Sequence, residues 1–270
     1  MCELFAISSQ RMTRLTFSLE TLAAHGAGTG RYRDGWGTAF YQGNDVALYR
    51  EPTAAGDSAL VRFLETQAPE TTLAISHIRH ATVGKITLAN TQPFARQLAG
   101  HMHVFAHNGH MPDIKGPEST ASARHRPIGD TDSERAFCSL LERMEFLWGS
   151  VPGLPSLGSR FEVVARFAAE LRALGPANFI YADGDTLFAH GDRRLHPGTG
   201  IVSPPGLFIN TCECEDPDMP LVANGVTVAP GFQAISMFAS VPLGGGTWYP
   251  LAEGEVVSVS AGKVTRRSKP

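Results

Sequence analysis

Cys2 follows the initiator methionine directly and heads the short apolar run Leu4-Phe5-Ala6-Ile7. Removal of Met1 would leave Cys2 with a thiol and a free α-amine, a nucleophile and a base on one residue. The thiolate is the reactive form of cysteine. An α-amine with a reference pKa of ~7.7–8.0 can take up a proton near neutral pH. The plainer alternative is a small residue opening a buried strand. Three later stretches carry further chemistry. In His77-Ile78-Arg79-His80-Ala81-Thr82 an arginine closes an apolar strand. Its planar fork suits a carboxylate, either of a ligand or of an internal ion pair. In Ala106-His107-Asn108-Gly109 a strand ends on Asn-Gly. That pair is an ordinary turn, or a carboxamide and an N–H able to hold an oxyanion. In Asp130-Thr131-Asp132-Ser133-Glu134, Asp132 either faces an ammonium group or caps the helix that follows.

The elements that must position these residues read as follows. Residues 2–8 form a buried strand, and 16–25 fit a short helix ended by Gly26-Ala27-Gly28. Asp34-Gly35-Trp36-Gly37 opens a strand over 38–41, and Asn44-Asp45 turns it into a second over 46–49. A helix over 57–66 precedes a strand over 72–79. Residues 84–100 read as a long loop of the kind that carries function. The strand 101–107 ends at Asn108-Gly109, and 111–129 are irregular. Two amphipathic helices follow, at 132–147 and 159–174. Short strands occupy 178–183, 186–190, 206–210, 225–229, 233–240 and 255–260. Strands, then adjacent helices, then strands again predict an α+β fold with mainly antiparallel sheets. No repeat or linker divides residues 1–270, which are expected to form one domain.

The bulk composition excludes several classes. Charged residues make up 18% of the 270 and the net charge is −3, with no dense basic run. No nucleic-acid partner is expected. No signal peptide and no apolar span of ~20 residues stands out, so a membrane location is not expected and the cytoplasm is. Four cysteines do not make a disulfide scaffold in a chain of this length. Ten histidines invite a metal reading. His77, His80, His101, His103 and His107 do not form a tight ligand set, however, and Cys212-Glu213-Cys214 lacks a second pair. Neither a metal nor another cofactor is expected. Cys138 reads as helix core.

Taken in order, Cys2, His-x-Arg-x-Ala-Thr, His-Asn-Gly and Thr-Asp-Ser-Glu resemble the class II glutamine amidotransferases, N-terminal-nucleophile hydrolases with a cysteine. Asp34-Gly35-Trp36-Gly37 and Asn90-Thr91-Gln92-Pro93-Phe94 are similar to the small stand-alone YafJ-like branch and to the amidohydrolases of ergothioneine synthesis. Pro242-Leu243 and Gly246-Thr247-Trp248 also resemble that branch. The resemblance implies a four-layer αββα sandwich. It implies Cys2 as nucleophile toward a glutamine side-chain amide, with a thioester intermediate, and Asn108 and Gly109 as oxyanion donors. Arg79 would hold the substrate α-carboxylate with support from Thr82, and Asp132 the α-ammonium. Any ammonia acceptor would sit on a separate synthase. Three positions depart from the family pattern: Glu3 where glycine is common, His80 where an aromatic is common, and Val83 where larger members have histidine. They point to an altered pocket and keep open a larger γ-glutamyl substrate, or a binding module without turnover.

Overall fold

The structure is a computed structural model. It describes residues 2–17, 34–81, 84–117, 122–196, 198–214, 221–223, 226–244 and 246–268. The first strand, β1 (Glu3–Phe17), pairs antiparallel on one side with β4 (Glu70–Ile78). On its other side it pairs with β14 (Gln233–Ala239). β2 (Trp36–Gln42) and β3 (Asp45–Glu51) form a hairpin that continues the sheet beyond β4. β11 (Phe208–Cys214) and β15 (Tyr249–Pro250) continue it beyond β14. The short strands β12 (Leu221–Ala223) and β13 (Val226–Val228) branch from β1, completing nine strands. A second sheet runs β17-β16-β8-β7-β6-β5. Its members are β5 (Phe94–Leu98), β6 (His101–Gly109), β7 (Ala177–Ala182), β8 (Leu187–His190), β16 (Val256–Ser260) and β17 (Lys263–Arg267). β9 (Arg194–His196) and β10 (Ile201–Ser203) make a separate ribbon.

Strand alternation explains the layering, because successive side chains point to opposite faces. In β1, Leu4 and Ala6 enter the core between the sheets, where they join Val104 and Ala106 of β6 and Ile180 and Ala182 of β7. Phe5 and Ile7 point the other way and pack with Val61 and Leu64 of helix α1 (Ala59–Gln67). Phe105, Phe179 and Phe188 of the second sheet point out toward α2 (Asp132–Gly149) and α3 (Leu157–Leu174). They meet Phe137, Leu140, Phe161 and Phe167 there. The result is helix, sheet, sheet, helix, the expected α+β four-layer sandwich. Both sheets are covered on both faces, so their central strands read as apolar runs rather than clean alternation.

Two local expectations change. Within the stretch 84–100, Phe94–Leu98 is a strand paired with β6. Its half-exposed Ala95 and Arg96 and the turn-like Gln92-Pro93 before it hide an edge strand, whose outer positions face water. The helix expected at 16–25 is not seen at its start. Residues 16–17 belong to β1, and 18–25 lie outside the described residues. The long helices and the strand at 101–109 stand where their periodicity put them. Cys138 is buried in the core.

Four histidines are sealed in these layers. Burial lowers His77 and His103 to about 3 and His107 and His190 to about 4. In the unfolded chain each would titrate near ~6.5. Below that pH the unfolded state binds protons that the folded state refuses, so stability is complete above pH ~6.5 and falls as pH drops toward 4. Each histidine contributes on the order of 1.4 kcal/mol per pH unit once its unfolded form is protonated. Urea titrations at pH 7.5, 6.0 and 5.0 should show a monotonic loss of unfolding free energy. An unchanged value across that range would refute the assignment of these rings as buried and neutral.

Candidate active site

The pairing of Glu3 with Ile78 in the β1–β4 ladder brings Cys2 alongside Arg79 at the end of the first sheet. Cys2 is half-buried, and its Sγ accepts a hydrogen bond from the His80 N–H at 3.3 Å. Burial pushes the thiol pKa up. The His80 N–H and Arg79 act in the opposite direction without cancelling it. A thiol of this kind stays protonated at neutral pH and needs a base at the moment of attack.

The turn before β2 builds one wall. Asp34 Oδ2 accepts the Ala81 N–H at 2.8 Å and lies 3.6 Å from His80 Nδ1. The Gly35 carbonyl accepts the Arg79 N–H at 2.8 Å. Arg79 is only 3% exposed, and its guanidinium donates to the carbonyls of Lys85 (3.0 Å) and Gly84 (3.2 Å). Burial lowers its pKa, and the neighbouring Cys2, Asp34 and Asp130 offset part of that. The loop supplying those carbonyls is itself tied down. Asn90 Nδ2 donates to Lys85 O at 3.0 Å and to Asp130 Oδ1, while Asn90 Oδ1 accepts the Asp130 N–H at 2.9 Å. Thr82 and Val83 lie outside the described residues.

The second sheet supplies the opposite wall. β6 ends at Asn108-Gly109, and Asn108 Nδ2 donates to the Cys2 carbonyl at 3.0 Å and to Ser240 Oγ at 3.0 Å. Gly109 has φ +157°, and a Cβ there would sit 2.0 Å from the Pro176 carbonyl. Only glycine lets the strand end pass the 175–177 segment so closely. Asp132 stands in the first turn of α2, whose cap is the neighbouring Thr131, accepting from Glu134 N. Asp132 Oδ2 accepts the Met111 N–H at 2.9 Å and Oδ1 the Ser133 N–H at 2.8 Å. His107 Nδ1 lies 2.9 Å from Ser133 Oγ, a second link between the end of β6 and this helix start.

Cys2, Arg79, Asn108 and Gly109 therefore gather at one junction of the two sheet ends. Asp132 is fastened to the chain just beyond Gly109. Several partners of the site had no signal in the local sequence. Glu3 is 4% exposed and forms an ion pair with Arg194 at 2.8 Å. Arg194 also donates to the Ser240 carbonyl, and Ser240 Oγ accepts the Leu4 N–H at 2.9 Å as well as Asn108. Glu3, one of the three departures from the family pattern, is thus paired with a buried cation. Its partner lies 191 residues away, a distance at which no spacing rule operates. Among the described residues, no group of three or more His, Cys, Asp or Glu side chains is arranged to hold a metal.

The family model for class-II glutamine amidotransferases matches residues 1–270. The Escherichia coli K12 protein YafJ, which carries the name of a glutamine amidotransferase, is 35% identical over 196 residues, 73% of this chain and 75% of its own. The crystal structure of the predicted glutamine amidotransferase of Pseudomonas aeruginosa PA01 is 31% identical, with a TM-score of 0.71 over 98% of this chain and 100% of that one. The Bacillus subtilis glutamine phosphoribosylpyrophosphate amidotransferase shares the fold alone. It is 13% identical, with a TM-score of 0.55 over 99% of this chain and 49% of its own. A half-buried cysteine at position 2, a carboxamide facing it from a second sheet and a family match along the whole sequence lead to one assignment: the chain belongs to the class-II glutamine amidotransferases.

Proposed function

We propose that this chain hydrolyses the side-chain amide of glutamine to glutamate and ammonia through a thioester on Cys2. The observation that carries the reading is the meeting of Cys2 with Asn108 across the two sheets, at 3.0 Å from carboxamide nitrogen to carbonyl oxygen. In the first step Cys2 Sγ bonds to the amide carbon, and the thiol proton passes to the leaving nitrogen by way of the Cys2 α-amine. The carbon–nitrogen bond breaks and ammonia departs. In the second step water adds to the thioester, the carbon–sulfur bond breaks, and glutamate leaves with the thiol restored. Asn108 through its carboxamide and Gly109 through its N–H stabilise the oxyanion of both tetrahedral intermediates. Arg79 binds the α-carboxylate and Asp132 the α-ammonium, with Thr82 beside the carboxylate. Met1 must be removed, since an acylated nitrogen on Cys2 is no base. The thiol must also stay reduced, which suits the cytoplasm. Transfer of the ammonia to an acceptor would take place on a partner synthase.

Purified Cys2→Ala should release no ammonia from glutamine and should keep the wild-type melting temperature. Substantial turnover by this variant would end the assignment. Mass spectrometry of active wild-type protein should find Met1 absent.

Arg79→Lys loses the bidentate fork and should lower kcat/KM by roughly ten- to a hundredfold, mainly through KM, as expected for a charge-assisted bond worth ~1.5–3 kcal/mol. Asn108→Ala should lower kcat by roughly a hundredfold or more with little change in KM, since an oxyanion donor acts on the transition state. A rise in KM alone for Asn108→Ala would contradict the oxyanion role.

A larger γ-glutamyl amide is the competing substrate, because Arg79 and Asp132 would read only the amino-acid end that all such compounds share. Specificity constants for glutamine and for γ-glutamyl peptides, measured together, decide between them. Glutamine preferred by more than about tenfold, ~1.4 kcal/mol, excludes the larger class. No glutamate from either would leave a binding module.

A further inference from the structure

A carboxamide presents two ends of nearly equal size, and only one of them donates hydrogen bonds. Asn108 can stabilise an oxyanion only with its NH2 end toward Cys2. The hydrogen-bond chain behind it fixes that choice. The Asp192 backbone N–H can only donate, and it lies 2.7 Å from one end of the Asn178 side chain, which must be oxygen. The other end of Asn178 is therefore NH2. It donates to the Arg193 carbonyl at 2.9 Å and to one end of the Asn108 side chain at 3.0 Å. That end of Asn108 must then be oxygen, which leaves its NH2 facing the Cys2 carbonyl and Ser240 Oγ, each at 3.0 Å. The two carboxamides and the groups that fix them are buried: Asn178 and Asp192 are 0% exposed, Asn108 and Ser240 1%, while Cys2 and Arg193 are half-buried. Water cannot substitute for a lost partner there. The fold also makes room for this arrangement. A Cβ on Gly206 would come 1.8 Å from Asn178 Oδ1.

We propose that Asn178 is a positioning residue of the amide hydrolysis: it holds the Asn108 carboxamide with its NH2 end at Cys2. This rests on the reading of Asn108 as an oxyanion donor. Asn178 touches neither thiol nor substrate in that scheme. It acts by offering Asn108 a donor on the side away from the reaction, so that the competing orientation would set two NH2 groups against each other.

The test is a mutant cycle assayed at pH 8. Asn178→Asp replaces the donor with a carboxylate that repels Asn108 Oδ1 and draws its NH2 away from Cys2. The expected result is a kcat lowered by about a hundredfold, close to that of Asn108→Ala, with KM changed less than about threefold. The double variant Asn108→Ala/Asn178→Asp should be no slower than Asn108→Ala alone, because there is no carboxamide left to orient. Gly206→Ala, which pushes on Asn178 without burying a charge, should lower kcat in the same manner and answers for any failure of Asn178→Asp to fold. A merely structural role would give losses that multiply in the double variant, and that outcome overturns the proposal. A readout independent of turnover is the Asn108 side-chain NH2 pair in 1H–15N spectra, identified by its loss in Asn108→Ala. It should move in both Asn178→Asp and Gly206→Ala. Signals unchanged from wild type would overturn the proposal even if glutamine were not the substrate. Wild-type protein inactive on every γ-glutamyl amide would count against the hydrolase reading and leave this spectral test in force.

Discussion

The packing of the two sheets through one shared core is the constraint on which everything else depends. The layer between them mixes small residues, Ala6 and Ala39 from one sheet and Ala106, Ala182 and Ala189 from the other, with larger ones such as Leu4, Ile180 and Phe238. Sheets packed face to face lie ~10 Å apart, and side-chain volume in the layer sets that spacing. Cys2 stands at the end of a strand in one sheet and Asn108 at the end of a strand in the other. Their separation is thus a property of the whole core, not of a loop. The groups that meet at this junction are held by elements that cannot move independently.

Placing polar groups at such a junction has a cost. Burying a charge without a partner is strongly unfavourable, and an unpaired buried amide costs about 1–3 kcal/mol. The chain meets this with closed sets of partners. Glu3 and Arg194 neutralise each other next to Cys2, and the same arginine reaches the Ser240 carbonyl. Ser240 in turn accepts from Leu4 and Asn108. Gln92 caps the gap before β5 by exchanging hydrogen bonds with both backbone groups of His107. These contacts do for the strand ends what ladder pairing does for strand interiors.

How much of this was legible depended on sequence distance. The α2 and α3 periodicities, the helix start at Asp130-Thr131-Asp132 and the Asn108-Gly109 strand end are local, and reading them needed only neighbouring residues. The grouping of Cys2, Arg79 and Asn108 was implied by the family resemblance that their motifs carry when taken in order, since each motif read alone had an ordinary structural alternative. Asn178 and Ser240 could not be singled out, since each sits inside a strand pattern or turn with no unusual neighbour. Glu3 was visible as an anomaly, but its cause was Arg194, whose own surroundings look like an ordinary surface turn. β5 was missed because an edge strand with two adjacent polar residues, Arg96 and Gln97, after Gln-Pro, carries the same letters as a loop.

The link through Asn90 reaches further than its own hydrogen bonds. It couples the loop that holds Arg79 to the segment that leads into Asp132. On the proposed roles, these two side chains would grip the carboxylate and the ammonium of one stereocentre while Cys2 meets the far end of the substrate. Three fixed points define a handedness. A mirror-image amino acid could satisfy two of them but not all three, and a frame this tightly tied has little freedom to adapt. Chirality at the α-carbon would then be read not by any one residue but by the stiffness of the tie between two loops.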